Sequence, residues 1–504
     1  MHQMHQALFV CEILLNIFTH VDQFPPSSYH PKSSAWKSLA ALARTCKRFH
    51  EPAMDLLWAD MHRIEPLLGC VTRLYPVIYR NSKMYLWSSQ DIEPLSEHEA
   101  RQFLRHASRV RSLRVENSKH FHLFTNLPTD KCVFPSLFSL SFIVDHPYAR
   151  YLHLFLSPTL RRCNLSAIHP DFTYIATRFA ALEHLSIEPF DDGVADDLPL
   201  LLNSVRLCKQ LATLFCPPLD WAAWKHISNL PTLLTVKISE PRRASHWPLS
   251  RSTHDSASFC NLTGLFFYVN TAAYTIAAIR HSEFPSLQEF VMKVSVLPLA
   301  EAEQLCRALS QCKANQSLKR IDIISHGLTS GEPSSTVITQ FFCFTQLRTL
   351  QLDFFHCCFN LDNDLLLEAM ESWPHIRSLE LVDLDTVPTV TFRGLFTALP
   401  QCPNLLSLDM SVDAVRIDID PTAESFQHTT LESLNLTRSP VADAEAVARI
   451  LFSMLPRIEQ VCDQRDPFET WDIGGQFEEQ WDEVNKHLDL LNGREPQSPE
   501  FGTY

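Results

Sequence analysis

Apolar and polar positions alternate along the chain in one short recurring pattern: apolar, two variable, apolar, one variable, apolar. The early copies are Val110/Leu113/Val115, Leu137/Leu140/Phe142, Leu160/Cys163/Leu165 and Leu182/Leu185/Ile187. Leu233/Val236/Ile238, Leu262/Leu265/Phe267, Leu287/Phe290/Met292 and Leu318/Ile321/Ile323 follow. The late copies are Leu347/Leu350/Leu352, Ile376/Leu379/Leu381, Leu405/Leu408/Met410 and Leu431/Leu434/Leu436, with a weaker one, LATLFC, from Leu211. From Leu318 the first positions step by 29, 29, 29 and 26 residues; earlier steps range from 22 to 31. The last three positions of each copy alternate, which predicts a strand. Prolines 135, 158, 231, 285, 374 and 403 stand two residues before the first apolar position. Proline cannot continue a helix and biases its neighbour towards extended backbone, so it punctuates a helix-to-strand transition.

Helical spacing fills the intervals. Asp362 predicts a cap for a helix that buries Leu366, Ala369, Met370 and Trp373; residues 442–455 offer Val447, Ile450, Leu451 and Met454. A strand, a turn and a helix in 22 to 31 residues is the arithmetic of stacked repeats. These copies resemble the leucine-rich repeat family over roughly residues 108–462. The asparagine or cysteine usual three residues after the last apolar position is replaced by Ser439, Asp413, Leu384 and Phe355, so the repeats are irregular. The ends of such an array need covers. Ser96 and Glu99 form a capping-box pattern ahead of Phe103, Leu104 and Ala107. Phe477, Trp481, Val484, Leu488 and Leu491 fall on one face of a closing helix.

Three further apolar helical patches precede the repeats. The first holds Phe9, Ile13, Leu14, Ile17, Phe18 and Val21, and the second Leu39, Leu42, Ala43, Cys46 and Phe49. The third is expected to start at Pro52 and carries Met54, Leu57 and Trp58. A proline- and serine-rich loop, DQFPPSSYHPKSS, separates the first two. The segments EILLNIFTHV and LAALARTCKRFHEPAMDLLW resemble, in order, the F-box, a small helical module of cullin-based ubiquitin ligases. Val10 and Cys11 stand where that family has proline. The resemblance implies docking on a Skp-type adaptor, and through it on a cullin ubiquitin ligase, by Ile13, Leu14, Ile17, Phe18, Leu39, Leu42, Cys46, Phe49, Leu57 and Trp58. Helices this short cannot bury enough surface among themselves, and an apolar face left open is a partner site. The competing reading is that the three helices only cap the repeats.

The expected fold is therefore α/β: an N-terminal three-helix F-box-like module at 5–61, then a leucine-rich-repeat solenoid of irregular repeats at 108–462. Between them lie a linker and N-terminal capping helices at 62–107; a C-terminal capping helix at 463–492 and a loose tail at 493–504 complete the chain.

Composition narrows the function. The formal charge of -14 disfavours a dominant nucleic-acid surface. Glycine numbers 10 in 504 residues, and no GxGxxG, GxxxxGK or GxSxG occurs, which weakens nucleotide and hydrolase readings. The 15 cysteines include no CxxC pair, which argues for a reducing compartment. No apolar run approaches a membrane span and no leader is recognised, so no membrane is expected; the expected location is cytoplasmic or nuclear.

Fragments that suggest chemistry do not assemble. His356 to Cys358 lacks a second ligand pair, and the acidic run at 191–197 lacks the order of a calcium loop. His120 and His122 alternate as surface strand or loop residues would. No catalytic residue, cofactor or metal is expected. The strand face is the expected binding surface for an unidentified protein target, with Arg348, Gln351, Arg377, Glu380, Asp409 and Asn435 at its outward positions. The expectation is a non-enzymatic adaptor that presents a bound target for ubiquitination; the alternatives are a repeat scaffold unconnected to ubiquitin transfer and an enzyme with an unrecognised site.

Overall fold

The computed structural model describes residues 10–22, 32–79, 92–116, 119–127, 132–166, 181–188, 194–241, 256–326, 336–354, 361–382, 388–420, 426–436, 438–461 and 477–494. The chain divides into two compact units, Met1–Pro217 and Pro218–Tyr504. The division falls inside the span of the repeats.

The first unit opens with three helices: α1 (Cys11–Asp22), α2 (Lys32–Thr45) and α3 (Lys47–Leu57). Leu14, Phe18, Leu39, Ala43 and Ala53 form their buried centre, with Leu42, Phe49, Met54, Leu56 and Leu57 packed around it. The Phe18 and Phe49 rings meet edge to face at 5.5 Å. The start of α3 differs from the expectation. The chain breaks at Cys46, whose extended backbone (φ -155°, ψ 161°) caps the helix, and Pro52 lies inside it, buried. Proline in a helix interior costs about 3 kcal/mol. Phe49, Ala53, Leu56 and Leu57 keep the apolar stripe running past it, and their burial holds the helix together.

The chain then enters a parallel sheet. Its strands are β1 (Asp60–Met61), β2 (Ser112–Val115), β3 (Ser139–Phe142), β4 (Arg162–Leu165), β5 (His184–Ile187) and β6 (Thr213–Cys216). Register follows the sequence pattern: Leu113 pairs with Leu140, Leu140 with Cys163, Cys163 with Leu185, and Leu185 with Leu214. The weak LATLFC copy is thus a full strand. The short early repeats use 3₁₀ turns, Phe121–Phe124 and His146–Phe155, in place of α-helices. A 3₁₀ turn covers more length per residue, about 2.0 Å, which suits a short repeat. Stacked rings fill the space, Phe121 on Phe142 at 5.7 Å and Phe134 on Phe155 at 5.3 Å. Ser96 caps the helix Glu97–Ala107 with both halves of the capping box, and Phe103 and Ala107 are buried.

In the second unit the strands are β7 (Thr235–Ser239), β8 (Ala257–Ser258), β9 (Gly264–Val269), β10 (Ser282–Glu283), β11 (Glu289–Val294) and β12 (Arg320–Ser325), then β13 (Thr349–Phe354), β14 (Ser378–Val382), β15 (Ser407–Met410) and β16 (Ser433–Asn435). β8 and β10 form a small side ladder. The others pair in parallel through Val236, Leu265, Phe290, Ile321, Leu350, Leu379, Leu408 and Leu434, the middle apolar position of each copy. The helices between them bury one face each, as Leu366, Ala369 and Met370 do in Asn363–Ser372. Asp362 accepts from Leu365 N at 2.8 Å, the predicted cap.

Side-chain hydroxyls knit repeat to repeat. Thr430 Oγ1 donates to Pro403 O at 2.8 Å. Ser439 Oγ, at a position where leucine-rich repeats usually carry asparagine or cysteine, is buried and accepts from Val412 N at 2.8 Å. A buried serine thus serves the backbone of the preceding repeat. Three buried tryptophans satisfy their indole N–H groups: Trp224 on Ser282 Oγ, Trp373 on Phe341 O and Trp481 on Ser439 O, at 2.8–3.0 Å.

Candidate functional site

Two surfaces concern function: the outer side of α1, and the outward face of the strands in the second unit.

α1 is apolar on both sides. Leu14 and Phe18 are 3% exposed and face the helical core, whereas Ile13 and Ile17 are 39% and 45% exposed, with Val10 at 43% beside them. Positions 10, 13 and 17 share one side of a helix, so these residues form a ridge. The ten residues expected to dock an adaptor therefore separate by position. Ile13, Ile17 and Cys46 face outward; Leu14, Phe18 and Leu39 face inward; Leu42, Phe49, Leu57 and Trp58 are half-buried. Trp58 is turned to its own chain. Its ring stacks on His106 of the capping helix at 4.8 Å, tilted by 13°. Burial pushes the His106 imidazole below its ordinary value. Arg109, just beyond that helix, donates to the carboxylates of Asp55 and Glu51 on α3, and its guanidinium holds the Glu51 carboxyl below its ordinary value. β1 then pairs directly with β2. The helical trio is thus bonded to the first repeat through α3, while the ridge on α1 stays open.

On the strand face of the second unit, register aligns Asp322, Gln351, Glu380, Asp409 and Asn435 in one row. Asn435, expected outward and solvated, is 5% exposed, because its side chain donates to Asp409 Oδ2 at 2.9 Å. Asp409 also faces Arg438 at 3.6 Å. Gln351 and Glu380 are half-buried. Arg348 and Arg377 are exposed, and they precede β13 and β14 instead of lying within them.

The remaining candidates stay apart from these surfaces. His120 and His122 are half-buried at a 3₁₀ turn, not on a surface strand, because Phe121, Leu123 and Phe124 between and beyond them are core residues. A cavity of about 260 Å³ lies nearby, lined by Arg63, Ile64, Glu65, Val115 and Glu116. Residues 356–358 and 191–193 lie outside the described residues; Val194–Leu207 is helical. Among the described residues no group of three or more His, Cys, Asp or Glu could hold a metal ion, and no helix is long and apolar enough to cross a membrane. The described cysteines are free thiols, and burial pushes up those of Cys163, Cys208, Cys216 and Cys402.

No family model and no curated protein matches the sequence. Solved structures do align. A chain of the Toll–Spatzle complex of Drosophila shares 15% identity over 71% of this chain, with a TM-score of 0.37; this chain covers 48% of that one. The functional domain of InlJ from Listeria monocytogenes shares 12% over 69% of this chain and 67% of its own, at 0.33. The complex of Rad7 and Elc1 in yeast gives 12% over 89% of this chain and 97% of that chain, at 0.35. At these values the reading of function rests on the chain's own residues.

Proposed function

We propose that this chain is a non-enzymatic substrate-recognition adaptor. Its F-box-like helical trio docks on a Skp-type adaptor of a cullin-based ubiquitin ligase, and its repeats hold a protein target for ubiquitination by other subunits. The observation that carries the reading is the exposed ridge of Val10, Ile13 and Ile17 on a helix whose opposite side is already the core of the trio. A helix that served only to cap the repeats would have no use for a second apolar side. Capping falls to α3, through Trp58 and the carboxylates that receive Arg109. The mechanism is proximity: a target held on the repeats sits at high effective concentration near the transfer machinery.

The test is a pull-down of the full chain with purified Skp-type adaptor, parent against Ile13→Glu/Ile17→Glu. Burying each isoleucine is worth about 1.5–3 kcal/mol, so the double variant should bind at least about tenfold more weakly with an unchanged melting temperature. A parent chain that does not bind, or a double variant that binds as the parent does, overturns the proposal.

A further inference from the structure

The strand face of the second unit is rich in charge, and most of it is already paired. Asp322 accepts from Arg320 Nε and Nη2 at 2.8 and 2.5 Å. Asp409 is held by Arg438 and Asn435, Glu380 is engaged within the chain, and Glu432 meets Arg457 at 3.0 Å. Lys319 Nζ donates to Gln288 Oε1 at 2.9 Å. Arg348 and Arg377 differ: both are exposed, and among the described residues neither side chain has an ion pair or hydrogen bond.

They are also neighbours by construction. Arg377 N donates to Arg348 O at 2.7 Å, and Leu406 N to Arg377 O at 2.8 Å, so the two arginines and Leu406 stand at successive steps of one ladder. Parallel strands lie about 4.8 Å apart, close enough for two guanidinium groups to share one anionic partner. Next to them the register aligns Thr349, Ser378, Ser407 and Ser433, a row of half-buried hydroxyls. Leu406, 39% exposed, adds an apolar step at the end of the pair.

Resting on the reading that the repeats hold a protein target, we infer that Arg348 and Arg377, with the hydroxyls of Thr349, Ser378 and Ser407 and the side chain of Leu406, receive an acidic peptide segment of that target carrying an adjacent apolar residue. The charge left unpaired on this face decides the sign. A cationic segment would find its carboxylates already held, whereas an acidic one meets two free forks in the geometry that suits carboxylates. The strong formal charge of -14 makes a local cationic pair selective, because the rest of the chain repels acidic segments that do not reach it.

The test is fluorescence anisotropy with the full chain and three labelled dodecapeptides: one of alternating glutamate and serine with a central leucine, its glutamine counterpart, and its lysine counterpart. The glutamate peptide should bind, and Arg348→Gln/Arg377→Gln should weaken it about tenfold or more, while Arg280→Gln/Arg307→Gln, an equal loss of charge at exposed positions on two helices, leaves it unchanged. All three chains should melt alike, since the substituted side chains are exposed. Equal binding of the glutamine or lysine peptide, or a double variant that binds as the parent does, overturns the inference. Pull-down with the Skp-type adaptor reads the other surface, so binding there with no peptide selectivity would sink this inference and leave the proposed function standing.

Discussion

Asn485 closes the sheet of the second unit with one side chain. Its Oδ1 accepts from Val461 N and its Nδ2 donates to Val461 O, both at 2.8 Å, and Val461 bridges Leu434 of β16. An amide fits because it offers one donor and one acceptor, the two groups that a strand edge leaves open. Asn485→Ala should cost about 1–3 kcal/mol in chemical denaturation, the usual penalty for stranding such groups. Asn485→Asp should approach the parent at acid pH, where a protonated carboxyl still donates, and fall away as it ionises against Val461 O. A second single-residue test lies at the other end. Arg73 donates to Glu99, and that bond holds the Glu99 carboxyl at about 2, below its ordinary 4.5. The folded value is depressed, so the stabilisation is present above about 4.5 and is lost as pH falls from there towards about 2. Glu99→Gln retains a capping-box partner but not the charge, so its deficit in melting temperature against the parent should close through that window.

Among the elements, α1 shows how one helix can serve two masters with one residue type. Leu14→Ala or Phe18→Ala opens a cavity in the trio and should cost about 2–5 kcal/mol in denaturation. Ile13→Glu should leave the same midpoint unmoved, because that side chain already meets water. Sequence periodicity could find both sets but not separate them, since the two sides of α1 are equally apolar. The repeat strands were more legible: the middle apolar position of every copy proved to be its register position, because a strand buried on one face must alternate and its neighbours must match. β1 escaped notice because two residues, Asp60 and Met61, carry no period. Trp58 was legible as an apolar anchor, but its partner, His106, lies 48 residues on, beyond any local pattern. Asn435 looked solvated because only the structure shows Asp409 beside it.

At the scale of the whole molecule, stability in a repeat array is a sum of local terms, since each repeat touches its neighbours and little else. The sheet of the second unit obeys that rule, one strand per repeat from β9 to β16 apart from the side ladder. Its last repeat has a neighbour on one side, and the helix Glu478–Leu491 supplies the other with Trp481, Val484 and Leu488, all 1% exposed or less. The Trp481 indole also donates to Ser439 O, whose own hydroxyl serves Val412. A chain ended at residue 476 should therefore open from that side. Amide hydrogen exchange should accelerate first in β16 and the helix Ala444–Met454, while β11 and β12 keep their protection. A uniform loss of protection across these strands would instead show that the unit unfolds as one body, and the nearest-neighbour account would fail for it. Graded loss carries a functional consequence. Arg377 and Arg348 lie two and three strands inward from β16, so the ladder proposed to take an acidic peptide should lose affinity in the shortened chain only when β14 and β15 begin to exchange.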